Sequence, residues 1–279
     1  MRRAWASRVI GLLVLVSGRG WGQSVTLQIR PHTGDTLRMR LDQQTEMTGI
    51  RRTSSGELSA VVLNTMKMFS RAIVEGASEK GTMLLAVTDS VLVTTTDESA
   101  RADAERAQKQ MRGQRIRFRV SLDGTVVMTE TENGAAREVA QVVSLMPAAF
   151  PKAPIKVGES WIREMPLPAS PQYGSQIAGR LHVTFRFDSL THGGEWAFVS
   201  MRGEMRPLAT PPAGSGAMLE KGFVSGTMLV DQRRGWLTES WFSIVTTSVI
   251  TPPFSTGLGS LQVQMRIIQH MHTEKRKVD

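Results

Sequence analysis

From Leu37 to Thr48 the chain alternates apolar and polar positions. Leu37, Met39, Leu41, Gln43, Thr45 and Met47 form one series, and Arg38, Arg40, Asp42, Gln44, Glu46 and Thr48 form the other. A repeat of two sends each series to its own side of an extended chain, which no helix does. The alternation returns in Ile116, Phe118, Val120 and Leu122 against Arg115, Arg117, Arg119 and Ser121. It returns again in Ile177, Leu181, Val183, Phe185 and Phe187 against Arg180, His182, Thr184, Arg186 and Asp188, and in Leu261, Val263, Met265 and Ile267 against Gln262, Gln264 and Arg266. Four half-buried strands follow, with Leu37, Phe118, Phe185 and Val263 directed inward and the arginine-rich series outward.

Runs rich in Val, Thr, Met and Phe near 58–74, 82–96, 195–205, 223–231 and 236–250 read as strands apolar on both faces. Asp123-Gly124 between Val120 and Val126 predicts a hairpin, because both central residues can take positive φ. Asp231 to Gly235 predicts a longer one. Each hairpin leads into a strand bearing Thr-Glu, at Thr129-Glu130 and Thr238-Glu239, a hint of internal duplication.

Two segments break the β pattern. Residues 97–113 carry Ala, Glu, Arg and Gln with almost no large apolar side chain, which suits an exposed helix or a mobile loop. Over 135–146, Val139, Val142, Val143 and Met146 give an amphipathic helix that stops at Pro147 and is expected to cover the apolar face of a sheet. The proline-bearing stretch from Phe150 to Trp161 reads as the hinge between two halves, and 206–217 as a long surface loop. The expected fold is mainly β, α+β in minor part. It is a large curved antiparallel sheet, or two adjoining antiparallel sheets, with one or two helices, and its outline resembles the open half-barrels of periplasmic lipoprotein carriers.

Arg2, Arg3 and Arg8 precede the apolar run Val9 to Val16, and Gly20 and Gly22 suit a signal-peptidase site near Gly22/Gln23. The run is too short to span a bilayer, which takes about 20 residues. The expected organisation is therefore a signal peptide at 1–22, an N-terminal β half with helices at 23–150, a C-terminal β half at 151–273 and a charged tail at 274–279. Loss of 1–22 removes Arg2, Arg3, Arg8 and Arg19 and no acidic residue, so the formal charge of +9 becomes +5. Arginine far outnumbers lysine but is dispersed, which fits codon usage better than a nucleic-acid surface. With no cysteine the fold rests on burial alone.

Pro154-Ile-Lys-Val-Gly-Glu-Ser-Trp161, with Gly226-Thr-Met-Leu-Val-Asp231 and Gly235-Trp-Leu-Thr-Glu-Ser240, resembles a family of secreted bacterial proteins classed only as a domain of unknown function. The motifs are a turn into a Trp-bearing strand and a hairpin. They imply a location and a type of fold, and carry over no catalytic residue.

No chemical signature stands out. Pro212-Ala-Gly-Ser-Gly216 and Gly222-Phe-Val-Ser-Gly226 both miss the spacing of a nucleophile elbow, and no Ser-x-x-Lys occurs. Asp188, Glu195 and Asp231 have no distance fixed by sequence. His270 and His272, near Met265 and Met271, offer soft ligands for copper, but two ligands one residue apart are not a site. Met66, Met68, Met83, Met201, Met205, Met228 and Met265 mark either an adaptable apolar cavity or core filling. No catalytic, cofactor-binding or metal residue is assigned, and no cofactor is expected.

The expectation is a non-catalytic, exported cell-envelope protein, periplasmic or extracellular, with no transmembrane helix in the mature chain and no nucleic-acid partner. Its concave sheet face would hold a lipid or other hydrophobic ligand, or an envelope protein partner. The alternatives are an outer-membrane β-barrel, which the single Tyr and the interrupting helix disfavour, and an envelope hydrolase with an unrecognised site.

Overall fold

The computed structural model describes residues 24–53, 56–131, 150–167, 179–207, 217–250 and 261–274. The signal-like segment, the helix expected over 135–146, most of the 206–217 loop and the tail beyond Glu274 lie outside the described residues.

The strands are β1 (Ser24–Val25), β2 (Thr36–Thr53), β3 (Gly56–Ser78), β4 (Gly81–Thr95), β5 (Arg115–Val120), β6 (Val126–Thr131), β7 (Ile155–Lys156), β8 (Ser160–Leu167), β9 (Gly179–Thr191), β10 (Trp196–Pro207), β11 (Ala217–Asp231), β12 (Trp236–Ile250) and β13 (Leu261–Thr273). Among the described residues one α-helix, α1 (Arg101–Met111), preceded by a short 3-10 turn, lies between β4 and β5. Eleven strands form one antiparallel sheet in the order β6-β5-β4-β3-β2-β13-β12-β11-β10-β9-β8. Two meanders, β2 to β6 and β8 to β13, thus join through their first and last strands. The β2–β13 seam runs from Met39↔Thr273 to Arg51↔Leu261.

Registry places the predicted faces together. Leu37 is opposite Ala72, Phe118 opposite Leu84, and Phe185 opposite both Met201 and Trp161. Leu37, Phe118, Phe185 and Val263 are all buried, as the alternation predicts. Along the C-terminal meander this face is densely packed, and Phe185, Phe187, Val199, Met201, Met228 and Val230 are fully enclosed. Each such side chain contributes about 1.5–3 kcal/mol of burial. Glycine helps here, since a Cβ on Gly222 would lie 2.6 Å from the sulfur of Met205, which fills the space directly across the strand pair. Trp161 stacks on Phe185 with 5.4 Å between ring centres, so the Pro154–Trp161 motif is a turn into a strand whose aromatic residue anchors the edge.

The sheet curls. Its edge strands β6 and β8 stand at opposite ends of the strand order, yet the turn leading into β6 and the strand β8 both connect to Phe150. The Phe150 N–H donates to the Asp123 carbonyl at 2.7 Å, and the Phe150 carbonyl accepts from Arg163 Nη2 at 2.6 Å. The curl makes the buried face concave, and residues from both meanders belong to one core. Across the same end runs a strap, residues 24–35. β1 pairs with β7, the Ile29 N–H donates to Leu122 O at 2.9 Å, and the Arg30 N–H donates to Gly235 O at 2.7 Å. Leu27 and Ile29 bury their side chains beneath it. Among the described residues the sheet is open, since β6 and β8 do not pair with each other. The barrel alternative therefore lacks its closed sheet. No described helix is long and apolar enough to cross a membrane.

Two local expectations change. In the β5–β6 hairpin, Val120 pairs with Val126 across a five-residue turn in which Gly124 alone, at φ 84°, has positive φ. Asp123 instead accepts from the Thr125 N–H through Oδ1, a bond that substitutes for the tight two-residue turn. Strands read as apolar on both faces keep one of those faces in solvent. Phe69, Leu92, Phe223, Trp241 and Val245 point outward and are exposed.

Candidate functional site

The inner face differs between its two halves. Where β9 to β11 pack shut, the inner positions of β13, β2, β3 and β4 leave space, because Met, Gln, Thr and Ser are frequent among them and Phe is absent.

Near the strap lies a small apolar cavity of about 100 Å³, lined by residues that include Met39, Leu41, Met68, Phe118, Trp236 and Met271. Farther along the same strands lies a larger, partly open one of about 390 Å³, lined by residues that include Met47, Met66, Val93, Ala107, Met111 and Met265. The two lie in line. Leu41 and Gln43 are successive inner positions of β2, as are Met68 and Met66 on β3, and the first of each pair belongs to the smaller cavity and the second to the larger. Ligand cavities usually measure about 300–1,000 Å³. The larger space reaches that range, and the smaller one lies beside it along the same strands.

The helix α1 roofs the larger cavity for a reason that lies in the sheet. β5 pairs only with Thr82 to Val87, so the upper half of β4 has no strand neighbour on that side. The helix takes the vacant place, and its Gln108 Oε1 accepts from the Val93 N–H at 3.1 Å. Ala100, Ala104, Ala107 and Met111 line the cavity, spaced as one helical stripe. Small side chains leave room below the roof. The turn before the helix is capped by Asp97, whose Oδ1 accepts from both the Ser99 hydroxyl and the Ser99 N–H. Those bonds hold the Asp97 carboxyl below its ordinary pKa. At the other end Gly113 and Gln114 bond back to the main chain of Thr88.

Polar groups mark the step between the cavities. Gln43 and Gln269 face each other across the β2–β13 seam, and Gln269 is 3% exposed. Gln43 Nε2 donates weakly to Thr45 Oγ1 at 3.4 Å, while its Oε1 is buried without a hydrogen-bond partner. Such an unmet group costs about 1–3 kcal/mol, so a partner there is worth having. Ser70 and Thr88, paired across β3 and β4, add neutral polar atoms to the smaller cavity. Among the described residues the two cavities together have one charged lining side chain, Asp103, which is solvent-exposed and ion-paired with Arg106 at 3.0 Å.

Of the methionines singled out in the sequence, Met66, Met68 and Met265 line the cavities, whereas Met201, Met205 and Met228 fill the closed floor. Met83 pairs with Arg119 on the outward face. Met39, Met47, Met111 and Met271 complete the lining, and the first two already stood in the inward series of β2. The alanine stripe of α1 escaped notice because alanine carries little apolar signal.

The remaining chemical candidates lie elsewhere. His270 and His272 face outward, and His270 Nε2 meets Glu239 Oε1 at 3.0 Å. Among the described residues no group of three metal-ligating side chains forms around them or anywhere else. Glu195 bonds Arg233 at 2.9 Å, Asp231 accepts from the Arg233 and Arg234 N–H groups, and Asp188 lies 3.7 Å from Arg186. Glu195 and Asp231 line a polar hollow of about 460 Å³ beside the strap residues His32 and Asp35. Its Arg233, Arg234 and His32 each stand within 3.7 Å of a carboxylate there.

No protein-family model matches the chain, and no curated protein is detectably similar in sequence. In fold the chain is similar to a solved structure of lipid–protein interactions in lipovitellin, with TM-score 0.53 and 10% identity over 88% of this chain. The chain spans 25% of the length of that protein, so the likeness concerns one part of it. The outer membrane protein OprG of Pseudomonas aeruginosa (TM-score 0.24, 8% identity, 88% of this chain and 99% of that one) superposes too poorly to bear on the fold. A putative outer membrane lipoprotein-sorting protein domain of Vibrio parahaemolyticus (TM-score 0.17, 10% identity, 84% of this chain and 83% of that one) does no better. The class defined by fold and site is an open, curled antiparallel sheet with an apolar hollow on its inner face.

Proposed function

We propose that this protein is an exported, non-catalytic binding protein of the bacterial cell envelope, which holds a hydrophobic ligand in the hollow beneath α1. The observation that carries the reading is the apolar space of about 390 Å³ between the β13–β2–β3–β4 floor and the α1 roof. Its methionine lining suits ligands of varied shape, because an unbranched thioether adapts to irregular contacts. The similarity in fold to the lipovitellin structure, which concerns lipid–protein interactions, is compatible with this reading. Export rests on the sequence of residues 1–22, and the mature protein would then begin near Gln23. The halves 23–150 and 151–273 are proposed as parts of one sheet rather than as separate folding units.

The test uses N-phenyl-1-naphthylamine, an uncharged apolar dye, with the protein beginning at Gln23. Saturable fluorescence enhancement at one dye per chain is the expected result. No enhancement over a protein without a cavity would sink the reading.

A further inference from the structure

We infer that the ligand is an uncharged amphiphile with a single short acyl chain, seated under α1 with a hydroxyl-bearing head at Gln43. This rests on the reading of the hollow as a ligand site and specifies what enters it.

Three observations carry it. The first is charge. Among the described residues no basic side chain lines either cavity, and the one acidic residue, Asp103, already has Arg106 at 3.0 Å. A carboxylate, sulfonate or phosphate head would lose its water and gain no counter-charge, which is costly in an apolar site. An ammonium head would find its only carboxylate taken. The second is the amide of Gln43. It lines the larger cavity, and its Oε1 is buried without a partner while its Nε2 makes one long bond. The unpartnered Oε1 needs a donor, so it matches a hydroxyl, which needs no charge compensation and which an ester without a hydroxyl does not supply. The third is size. At about 30 Å³ for each water-sized group, the larger cavity holds roughly a dozen heavy atoms and the smaller one about three more. That room matches one chain of about ten carbons with a small head rather than two long acyl chains.

The experiment displaces N-phenyl-1-naphthylamine from the protein beginning at Gln23 with monodecanoylglycerol, methyl decanoate, decanoate and decylamine at pH 7.5. The two neutral ligands are expected to bind at least tenfold more tightly than the two charged ones, with monodecanoylglycerol the tightest. In Gln43→Leu, monodecanoylglycerol loses about tenfold in affinity, the scale of one buried hydrogen bond, while methyl decanoate changes less than threefold. Decanoate or decylamine binding as tightly as monodecanoylglycerol would overturn the inference, and so would an unchanged ratio of the two neutral ligands in Gln43→Leu. The wild-type series decides the question of charge even where the variant fails to fold. Binding of all four ligands without regard to their heads leaves the hollow a ligand site and removes the inference. Failure of all four, and of the dye, removes the site itself.

Discussion

Arg163 on β8 donates from Nη2 to the main-chain carbonyl of Phe150 at 2.6 Å, and this bond ties one edge of the sheet to a residue that also holds the other edge through Asp123. Phe150 is 1% exposed, so the clasp is both a hydrogen-bonded bridge and a buried aromatic anchor. Phe150→Ala should cost about 3–5 kcal/mol, the range for removing a buried aromatic side chain. Arg163→Met should cost less, about 1.5–3 kcal/mol, since it removes a charge-assisted bond but retains the stem that packs. Urea denaturation measures both. A cost below 1 kcal/mol for Phe150→Ala would show that the curl does not depend on the clasp.

The strap is fixed by a close approach at Gly235. Its φ is +58°, and a Cβ there would stand 2.5 Å from the Arg30 carbonyl oxygen that lies across it. Gly34 has φ +89° and no atom within 4 Å of such a Cβ. Both Gly→Ala changes incur the left-handed conformational penalty of about 1–2 kcal/mol, but only Gly235→Ala also pushes the strap away. The expected outcome is a larger fall in stability for Gly235→Ala, with faster hydrogen exchange at the Ile29 and Arg30 amides. Equal effects of the two changes would rule out the close approach as a determinant.

What the sequence makes legible follows from the physics of each feature. Strict alternation in β2, β5, β9 and β13 reports a face directly, and Leu37, Phe118, Phe185 and Val263 lie where it directs them. Alternation carries no information about depth, so Gln43 could be placed on the inner face but not recognised as the polar step in a hollow. The roof was harder still. Residues 97–113 owe their place to a vacancy beside β4 that exists only because β5 is short, which is a fact of pairing rather than of composition. Nor does a run of apolar residues on both faces tell which side the sheet will curl towards. Phe223 and Trp241 are as apolar as Phe185, yet they end in solvent.

The cap at Asp97 gives a pH dependence with a definite sign. Its folded pKa lies below the unfolded value of about 3.9, because the charged carboxylate accepts two bonds from Ser99. The stabilisation it gives the turn before α1 is therefore fully present above about pH 4, and is lost as pH falls through the lowered folded pKa. NMR titration of the Ser99 amide should show this transition, and Asp97→Asn should abolish it. The carboxyl is exposed, so the effect is confined to the turn and the sheet should remain folded. A Ser99 shift that persists in Asp97→Asn would assign the transition to another group.

Filling the hollow is the most direct separation of binding from folding. Ala107 faces the cavity from the roof, whereas Ala102 on the same helix is exposed and absent from the lining. Ala→Phe costs little in helix propensity at either position, about 0.5 kcal/mol. At position 107 the added ring occupies space that is otherwise empty, so stability should hold or rise slightly while affinity for N-phenyl-1-naphthylamine falls at least tenfold. At position 102 the same substitution should leave both unchanged. If Ala107→Phe keeps the dye affinity within twofold of wild type, while the melting temperature confirms an intact fold, the dye binds outside the space beneath α1. The exposed outward patch around Phe223 and Trp241 would then be the next surface to vary.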